Sequence, residues 1–301
     1  MVQHDGAFGM TPIFSRQNEV KSSTSNILIF DWSNILHRAA AVSTPSTFLG
    51  TLAKMVLRHR RRFSTWRFVI ALDGEKGTEA RKALYPSYKA NRGEHGEDFH
   101  FVEKTSEDLL GCMECVVVHS INGEADDVIA TYVAQHRGER VLIVSEDRDL
   151  WQLISRTATL WARDHTEITQ ESCLAKLGVQ PCQVPMLKAL LGDKSDNLPR
   201  AVPRVKTATL TKVARALYSP NEVALLPTIE GIQAKDVAKI QDNWDAVRRN
   251  FAVVTLRSDM PLLEVVNRPY PERLEKLLYQ SNFFELSREE IALLTAGSTR
   301  P

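Results

Sequence analysis

The stretch Asn122-Gly123-Glu124-Ala125-Asp126-Asp127-Val128-Ile129-Ala130 decides how this chain is read. It follows a β-rich run, Cys115 to His119, and it opens an apolar-periodic segment that reads as a helix to about Gln135. Acids in a first helical turn are ordinary, because the macrodipole favours negative charge there. Three carboxylates within four residues exceed what capping needs. Two like charges at contact distance repel by about 4 kcal/mol at an effective dielectric near 20. If further acids meet them in the fold, a divalent cation offsets the repulsion, and hard oxygen ligands suit Mg²⁺ or Mn²⁺.

Working outward, other acids fall at corresponding places. Ile27-Leu28-Ile29-Phe30 is apolar without alternation, as a buried parallel strand requires, and it ends in Asp31. A cap before a helix over Asn34 to Val42 is the alternative role for Asp31. Phe68 to Leu72 is a second such strand and ends in Asp73. Arg140 to Val144 is a third, running into Ser145-Glu146-Asp147-Arg148-Asp149. Strands alternating with helices predict an α/β fold, a three-layer and mostly parallel sheet. Right-handed crossovers bring successive strand ends to one edge, where open α/β sheets place their sites.

The remaining segments divide by charge. Phe48 to His59 has helical spacing and leads into Arg58-His59-Arg60-Arg61-Arg62, either a solvated helix end or a nucleic-acid contact. Arg81 to Arg92 alternates cations with aromatics around Pro86, either a surface loop with snorkelling cations or a clamp for phosphates and bases. Phe99 to Leu110, Cys173 to Gly178 and Pro185 to Leu191 read as helices, and Ala158 to Ala162 as a strand. Asp193 and Asp196 lie among Gly, Asn and Pro and serve as turn residues or as further ligands. Beyond Pro199, apolar periods at Ala208 to Tyr218 and Val237 to Phe251 predict a helical region, interrupted at Ala252 to Leu256. Arg273 to Leu278 is a last helix.

Composition narrows the class. The 301 residues are 43% hydrophobic and 25% charged, with net charge +1, so a sizeable core is affordable and the charge is segregated rather than one-sided. Four cysteines are too few for a disulfide scaffold, and the Cys112/Cys115 spacing, without a second close pair, favours buried strand thiols over zinc. Met1 to Ser25 lacks a basic start with an apolar core and reads as a poorly ordered tail. No apolar run reaches membrane-spanning length. The expectation is a soluble, cytoplasmic protein.

Several of these motifs recur, in order, in one family. They are the strands ending in Asp31 and Asp73, Arg81 through Tyr88-Lys89-Ala90-Asn91-Arg92, Gly123-Glu124-Ala125-Asp126-Asp127, Ser145-Glu146-Asp147-Arg148-Asp149-Leu150, and Gly192-Asp193-Lys194-Ser195-Asp196-Asn197-Leu198-Pro199. From Ile27 to roughly Thr209 the chain resembles the 5′→3′ exonuclease/flap endonuclease family, which includes phage enzymes and the 5′-nuclease domain of bacterial DNA polymerase I. The resemblance implies a PIN-like α/β core over 26–190, with an arch segment near 76–105, then a helix–three-turn–helix region and extension over 191–301.

It also implies a two-metal mechanism. Asp31, Asp73, Glu124, Asp126 and Asp127 would be the ligands of one ion or the acids just behind them, and Asp147, Asp149, Asp193 and Asp196 the group around the second. Lys89 and Arg92 would be the catalytic cations at the arch base, Tyr88 a stacking aromatic and Arg81 a phosphate contact. The implied substrates are 5′ ends, flaps and nicked or gapped duplex DNA, with RNA primers or RNA–DNA hybrids as further candidates. The stretch Arg200-Ala201-Val202-Pro203-Arg204-Val205-Lys206-Thr207 departs from the family pattern by lacking glycine. Duplex binding through Arg200, Arg204 and Lys206 is carried over, and the family's K⁺ site is not. A PIN-like ribonuclease and a non-catalytic nucleic-acid-binding subunit are the rival readings.

Overall fold

The structure, a computed structural model, describes residues 26–93, 97–163 and 165–296. The tail expected at 1–25 lies outside them. Seven strands form one sheet: β1 (Ile27–Asp31), β2 (Arg67–Leu72), β3 (Val116–His119), β4 (Val141–Val144), β5 (Ala158–Trp161), β6 (Glu167–Ile168) and β7 (Leu263–Val266), in the order β6-β5-β4-β1-β2-β3-β7. β5, β4, β1, β2 and β3 run parallel, and the two edge strands run antiparallel to their neighbours. The first crossovers lead from β1 to β2 and β3, and β4 returns to the other side of β1. The order therefore reverses beside β1, the position at which open sheets form a crevice.

Alternation along β1 sends Ile27 and Ile29 to one face and Leu28 and Phe30 to the other. The first face is covered by α5 (Ala125–Gln135), α7 (Val184–Leu191), α8 (Thr207–Ala216) and α10 (Trp244–Val254). The second is covered by α1 (Trp32–Ala40), α2 (Pro45–Arg62), α4 (Glu97–Leu110), α11 (Pro271–Gln280) and α12 (Arg288–Thr295). The three expected layers are present. Between β2 and α4 lies the short α3 (Glu79–Leu84), which stops before Pro86; α6 (Gln170–Leu177) and α9 (Ala234–Asp242) complete the helices named here.

Three readings of the C-terminal third need correction. The β-branched run at Ala252 to Leu256 does not interrupt a helix, since α10 continues to Val254. β7 was not anticipated; its residues are exposed and only its pairing with β3 makes it a strand. Nor does the core end near residue 190: Leu210, Val213 and Val247 pack in the same cluster as Ile27, and Leu274, Leu278, Ile291 and Leu294 in the cluster of Phe30.

The basic run at 58–62 is also not a uniformly solvated helix end. Arg60 is buried, donates to the carbonyl of Glu114, and lies 3.8 Å over the Phe68 ring. His59 is buried, with its Nδ1 2.8 Å from the carbonyl of Met55. Arg61 pairs with Glu290.

Candidate functional site

Parallel pairing brings Asp31, Asp73 and Asp147 to one edge of the sheet, at or just beyond the carboxyl ends of β1, β2 and β4. Each is held by a local device. Asp31 accepts from the main-chain N–H of Asn34, capping α1, and from the Ser145 hydroxyl at 2.7 Å. Asp147 N donates to the same hydroxyl oxygen, and Asp149 N donates to Asp147 Oδ1 at 2.8 Å. Asp73 accepts from Ala125 N at 2.8 Å, so it caps the helix that carries Asp126. Gly74 permits this: a Cβ there would stand 1.8 Å from the carbonyl oxygen of Ser120. The cap role of Asp31 and its convergence with other acids are therefore compatible.

These carboxylates feel one another. Burial raises Asp31 most; the Ser145 and Asn34 hydrogen bonds oppose this, Asp73 and Asp147 reinforce it, and the carboxyl is pushed up to about 7. Burial, then Asp147 and Asp31, push Asp126 well above the carboxylate range. Asp147 is raised chiefly by burial, with Asp193 adding to the shift and Lys188 and Lys89 opposing it. Asp149, Asp193 and Asp196 come closer still, each offering a carboxylate oxygen, all within 4.8 Å of one another. This is a hard-oxygen donor set of the kind that Mg²⁺ or Mn²⁺ prefers. Among the described residues no thiol joins such a group. Cys112, Cys115 and Cys173 are buried, and the Cys115 thiol is pushed up to about 11, mainly by burial.

A lysine missed by the sequence reading, Lys188 on α7, contacts Asp149 and lies 2.6 Å from Asp193 Oδ2. Burial raises Asp193, but the Lys188 charge and hydrogen bond, with the Ser195 hydroxyl, hold it at about 2. Its signal was its place five residues before Asp193, on the helix that delivers the motif.

Two acids of the Glu124 trio face a different partner. Arg81 is 5% exposed; it donates from Nη2 to Asp127 Oδ1 at 2.7 Å, from Nη1 to Asp127 Oδ2 and Glu124 Oε2, and from Nε to the carbonyl of Val253. Asp127 is fully buried and also accepts from the main chain and side chain of Arg257. Glu124 accepts from Arg81, from the Tyr88 hydroxyl at 2.9 Å, and from Lys89. Burial alone would raise both acids, but these cations hold them below the ordinary range.

Four residues expected at an ion or at the nucleic acid have protein partners here. Arg81 is enclosed and saturated, so it is not placed as a phosphate contact. Tyr88, 3% exposed, is not placed as a stacking face. Asp127 pairs with Arg81 and Arg257, and Glu124 with Arg81 and Lys89. Arg257 was missed because it pairs with Asp127 across 130 residues.

The arch base and the 193–198 hairpin are laced together. Lys89 N donates to the carbonyl of Asp196, Asn91 Nδ2 to that of Lys194, and Asn197 Nδ2 to that of Ser87. Arg92 Nη2 lies 3.1 Å from Asp196 Oδ1 and remains half exposed. Beyond the hairpin, Arg200 turns inward to the carbonyls of Val202 and Val205, bracing the turn instead of facing a ligand. Arg204 and Lys206 are exposed, and Arg204 holds φ +61, the left-handed conformation that glycine usually supplies.

The crevice of this parallel α/β sheet gathers carboxylates, with Lys89 and Arg92 beside them. The family follows from comparison: the model of the 5′-3′ exonuclease N-terminal resolvase-like domain matches residues 26–178, and the chain belongs to that family. It is 33% identical over 234 residues to DNA polymerase I of Mycobacterium leprae, covering 73% of this chain and 25% of that protein. The chain thus spans about a quarter of the length of such relatives.

Among solved structures, the bacteriophage T5 5′-exonuclease with bound divalent zinc aligns at TM-score 0.66 and 19% identity, covering 90% of this chain and 100% of that one. The bacteriophage T5 flap endonuclease in a pseudo-enzyme–product complex with DNA and metal ions aligns at 0.64 and 18%, covering 90% and 99%. At these identities the structures speak for the fold alone. Among the described residues no helix is long and apolar enough to cross a membrane.

Proposed function

We propose that this chain is a divalent-metal-dependent 5′-nuclease that hydrolyses phosphodiester bonds at 5′ ends or flaps of DNA in replication or repair. The observation that carries it is the convergence of Asp149, Asp193 and Asp196 within 4.8 Å, electrostatically joined through Asp147 to Asp126 and Asp31. The relatives described as exonuclease, flap endonuclease and DNA polymerase I support the same reading.

Asp149, Asp193 and Asp196 would hold one Mg²⁺ or Mn²⁺, and Asp31, Asp126 and Asp147 the other. Such ions, when bound, acidify water and neutralise a leaving oxygen. The chain's own residues do the rest. Asp73 fixes the helix that presents Asp126, and Ser145 orients Asp31 and the 145–149 loop. Lys89 and Arg92, tethered to the hairpin of Asp196, supply fixed positive charge where a phosphate accumulates negative charge. Arg204 and Lys206 would contact duplex phosphates.

A 5′-labelled flap substrate, incubated with Mg²⁺, Mn²⁺ or EDTA beside single-stranded RNA, tests this. Cleavage of the DNA flap that vanishes in EDTA is expected. Undiminished cleavage in EDTA, or turnover of RNA alone, refutes it.

A further inference from the structure

The C-terminal end of α10 is tied to both chain segments that supply Asp149, Asp193 and Asp196. Asn250, on α10, is 0% exposed and aims its amide nitrogen at two main-chain carbonyls. Nδ2 donates to Ala189 O at 3.1 Å and to Pro199 O at 2.9 Å. Oδ1 accepts from Arg249 Nη2 at 2.9 Å. Both N–H donors and the carbonyl oxygen of the amide are used, so its neighbours fix the way it faces. Ala189 lies in the last turn of α7, where carbonyls lack an intrahelical donor. Ala189 and Pro199 bound the segment that carries Asp193 and Asp196. One buried side chain therefore closes the neck of that segment.

The neck is tight. Gly192 takes φ +75, and a Cβ there would stand 2.5 Å from Arg200 N. Asp193 N donates to Leu198 O at 2.8 Å, and Leu198 N to Asp193 O at 2.7 Å, so the tip is a closed hairpin seated on the neck. Asp149 arrives separately, on the short 3₁₀ turn Asp149–Leu153. Gln152 in that turn donates from Nε2 to Asp149 O at 2.9 Å and to Val254 O at 3.1 Å, and its Oε1 accepts from Leu256 N at 3.0 Å. Residues 250–256 thus hold both sources of carboxylate.

We propose that Asn250 is a positioning residue which, with Gln152, sets the spacing of Asp149, Asp193 and Asp196 that a divalent ion requires. Carboxylates within 4.8 Å of one another repel, and here they come from different segments. Mg²⁺ accepts oxygen ligands only near about 2.1 Å, so a small spreading of the segments loses a ligand. Hydrogen bonds at the neck and at the 3₁₀ turn oppose that spreading without adding charge. Arg249 orients the Asn250 amide, and its guanidinium lies 5.0 Å from the centre of the Tyr85 ring at the end of α3. The role toward the ion rests on the proposed nuclease reading; the closure of the neck does not.

The test compares Asn250→Leu, which keeps the side-chain shape and removes both donors, with Val247→Ala. The latter removes buried packing one turn earlier on α10 and leaves both bonds to the neck. Amide hydrogen exchange of Asp193, Leu198 and, in β1, Ile29 is followed in EDTA. Mn²⁺ affinity is measured by titration calorimetry, and flap cleavage is recorded for the wild type. Asn250→Leu should speed exchange at Asp193 and Leu198 about tenfold more than at Ile29, as for the net loss of a hydrogen bond that closes a local unit. Its Mn²⁺ affinity should fall by about 10–100-fold, the range for residues that orient metal ligands. Val247→Ala should speed Ile29 at least as much as the hairpin amides and leave Mn²⁺ affinity near the wild-type value. Arg249→Met, at a half-buried position, should move the hairpin amides and the affinity in the same direction as Asn250→Leu, by less. Should Asn250→Leu fail to fold, unchanged hairpin exchange and Mn²⁺ affinity in Arg249→Met would overturn the proposal. With Asn250→Leu folded, exchange and affinity that match Val247→Ala would overturn it. Wild-type protein that binds no Mn²⁺ or cleaves no flap would instead overturn the nuclease reading, and the exchange comparison would still decide whether Asn250 closes the neck.

Discussion

Lys89 and Asp196, 107 residues apart, are joined through their main chains: the Lys89 N–H donates to the Asp196 carbonyl at 3.0 Å. The arch base is thus tethered to the acidic hairpin independently of side-chain charge. Lys89→Met removes the ammonium and leaves the tether. Turnover should fall by about 10²–10³-fold, the magnitude typical of losing a preorganised charge at a transition state. Flap-binding affinity in EDTA should change less than tenfold. A matching loss of binding would show that Lys89 serves affinity rather than the chemical step.

Asp126 and Asp127 are adjacent and face different chemistry. Asp126→Asn should abolish metal-dependent cleavage and leave the unfolding midpoint near the wild-type value or above it, because a repelled buried carboxylate is removed. Asp127→Asn should act on folding. It withdraws the shared partner of Arg81 and Arg257, and breaking a buried pair costs about 3–5 kcal/mol. Urea unfolding of both variants, with Mn²⁺ affinity by titration calorimetry, separates the roles. Equal stability of the two would contradict the assignment of Asp127 to the arginine network.

That contrast shows what was legible in the residues. The uninterrupted apolar strands and the acids at their ends can be read because a buried parallel strand leaves a run no surface segment has, and its carboxyl end is where the site falls. Which acid faces an ion and which faces an arginine is not local information. Arg81 meets Asp127 across 46 residues and Arg257 meets it across 130. A helix places consecutive side chains about 100° apart, so Asp126 and Asp127 diverge once α5 is docked. β7 escaped because an exposed edge strand has neither burial nor alternation to betray it.

Asp31 gives a pH dependence with a definite sign. Its folded pKa of about 7 lies above the ordinary 3.8, so between those values the folded state binds more protons than the unfolded one. Stability contributed by this group is fully present below about pH 4 and is lost as pH rises towards 7, with a slope of up to about 1.4 kcal/mol per pH unit. Asp126 and Asp147, also raised, act in the same direction. Urea unfolding in EDTA should therefore show a lower midpoint at pH 7.5 than at pH 5.5. Added Mg²⁺ should reverse the difference and release protons. His59, held at about 4 chiefly by burial, acts in the opposite sense, so the comparison is made in a His59→Gln background, where a metal-free midpoint that climbs between those pH values would refute the clustering of these acids.

Arg204 tests the glycine-free turn. Its φ of +61 carries a cost of about 1–2 kcal/mol for an L-residue, part of which glycine would return to the unfolded chain as entropy. Arg204→Gly should then stabilise the protein by up to about 1 kcal/mol. If its exposed guanidinium touches duplex phosphate, the same change should weaken duplex binding and reduce the salt slope by roughly 1. Arg204→Ala serves as the control: it loses the charge but keeps the strain, so it should weaken binding equally without stabilising. Equal unfolding midpoints for the glycine and alanine variants would mean that the turn carries no strain at Arg204. Unchanged binding in both would remove this residue from the duplex face and leave Lys206 as the exposed cation of the turn.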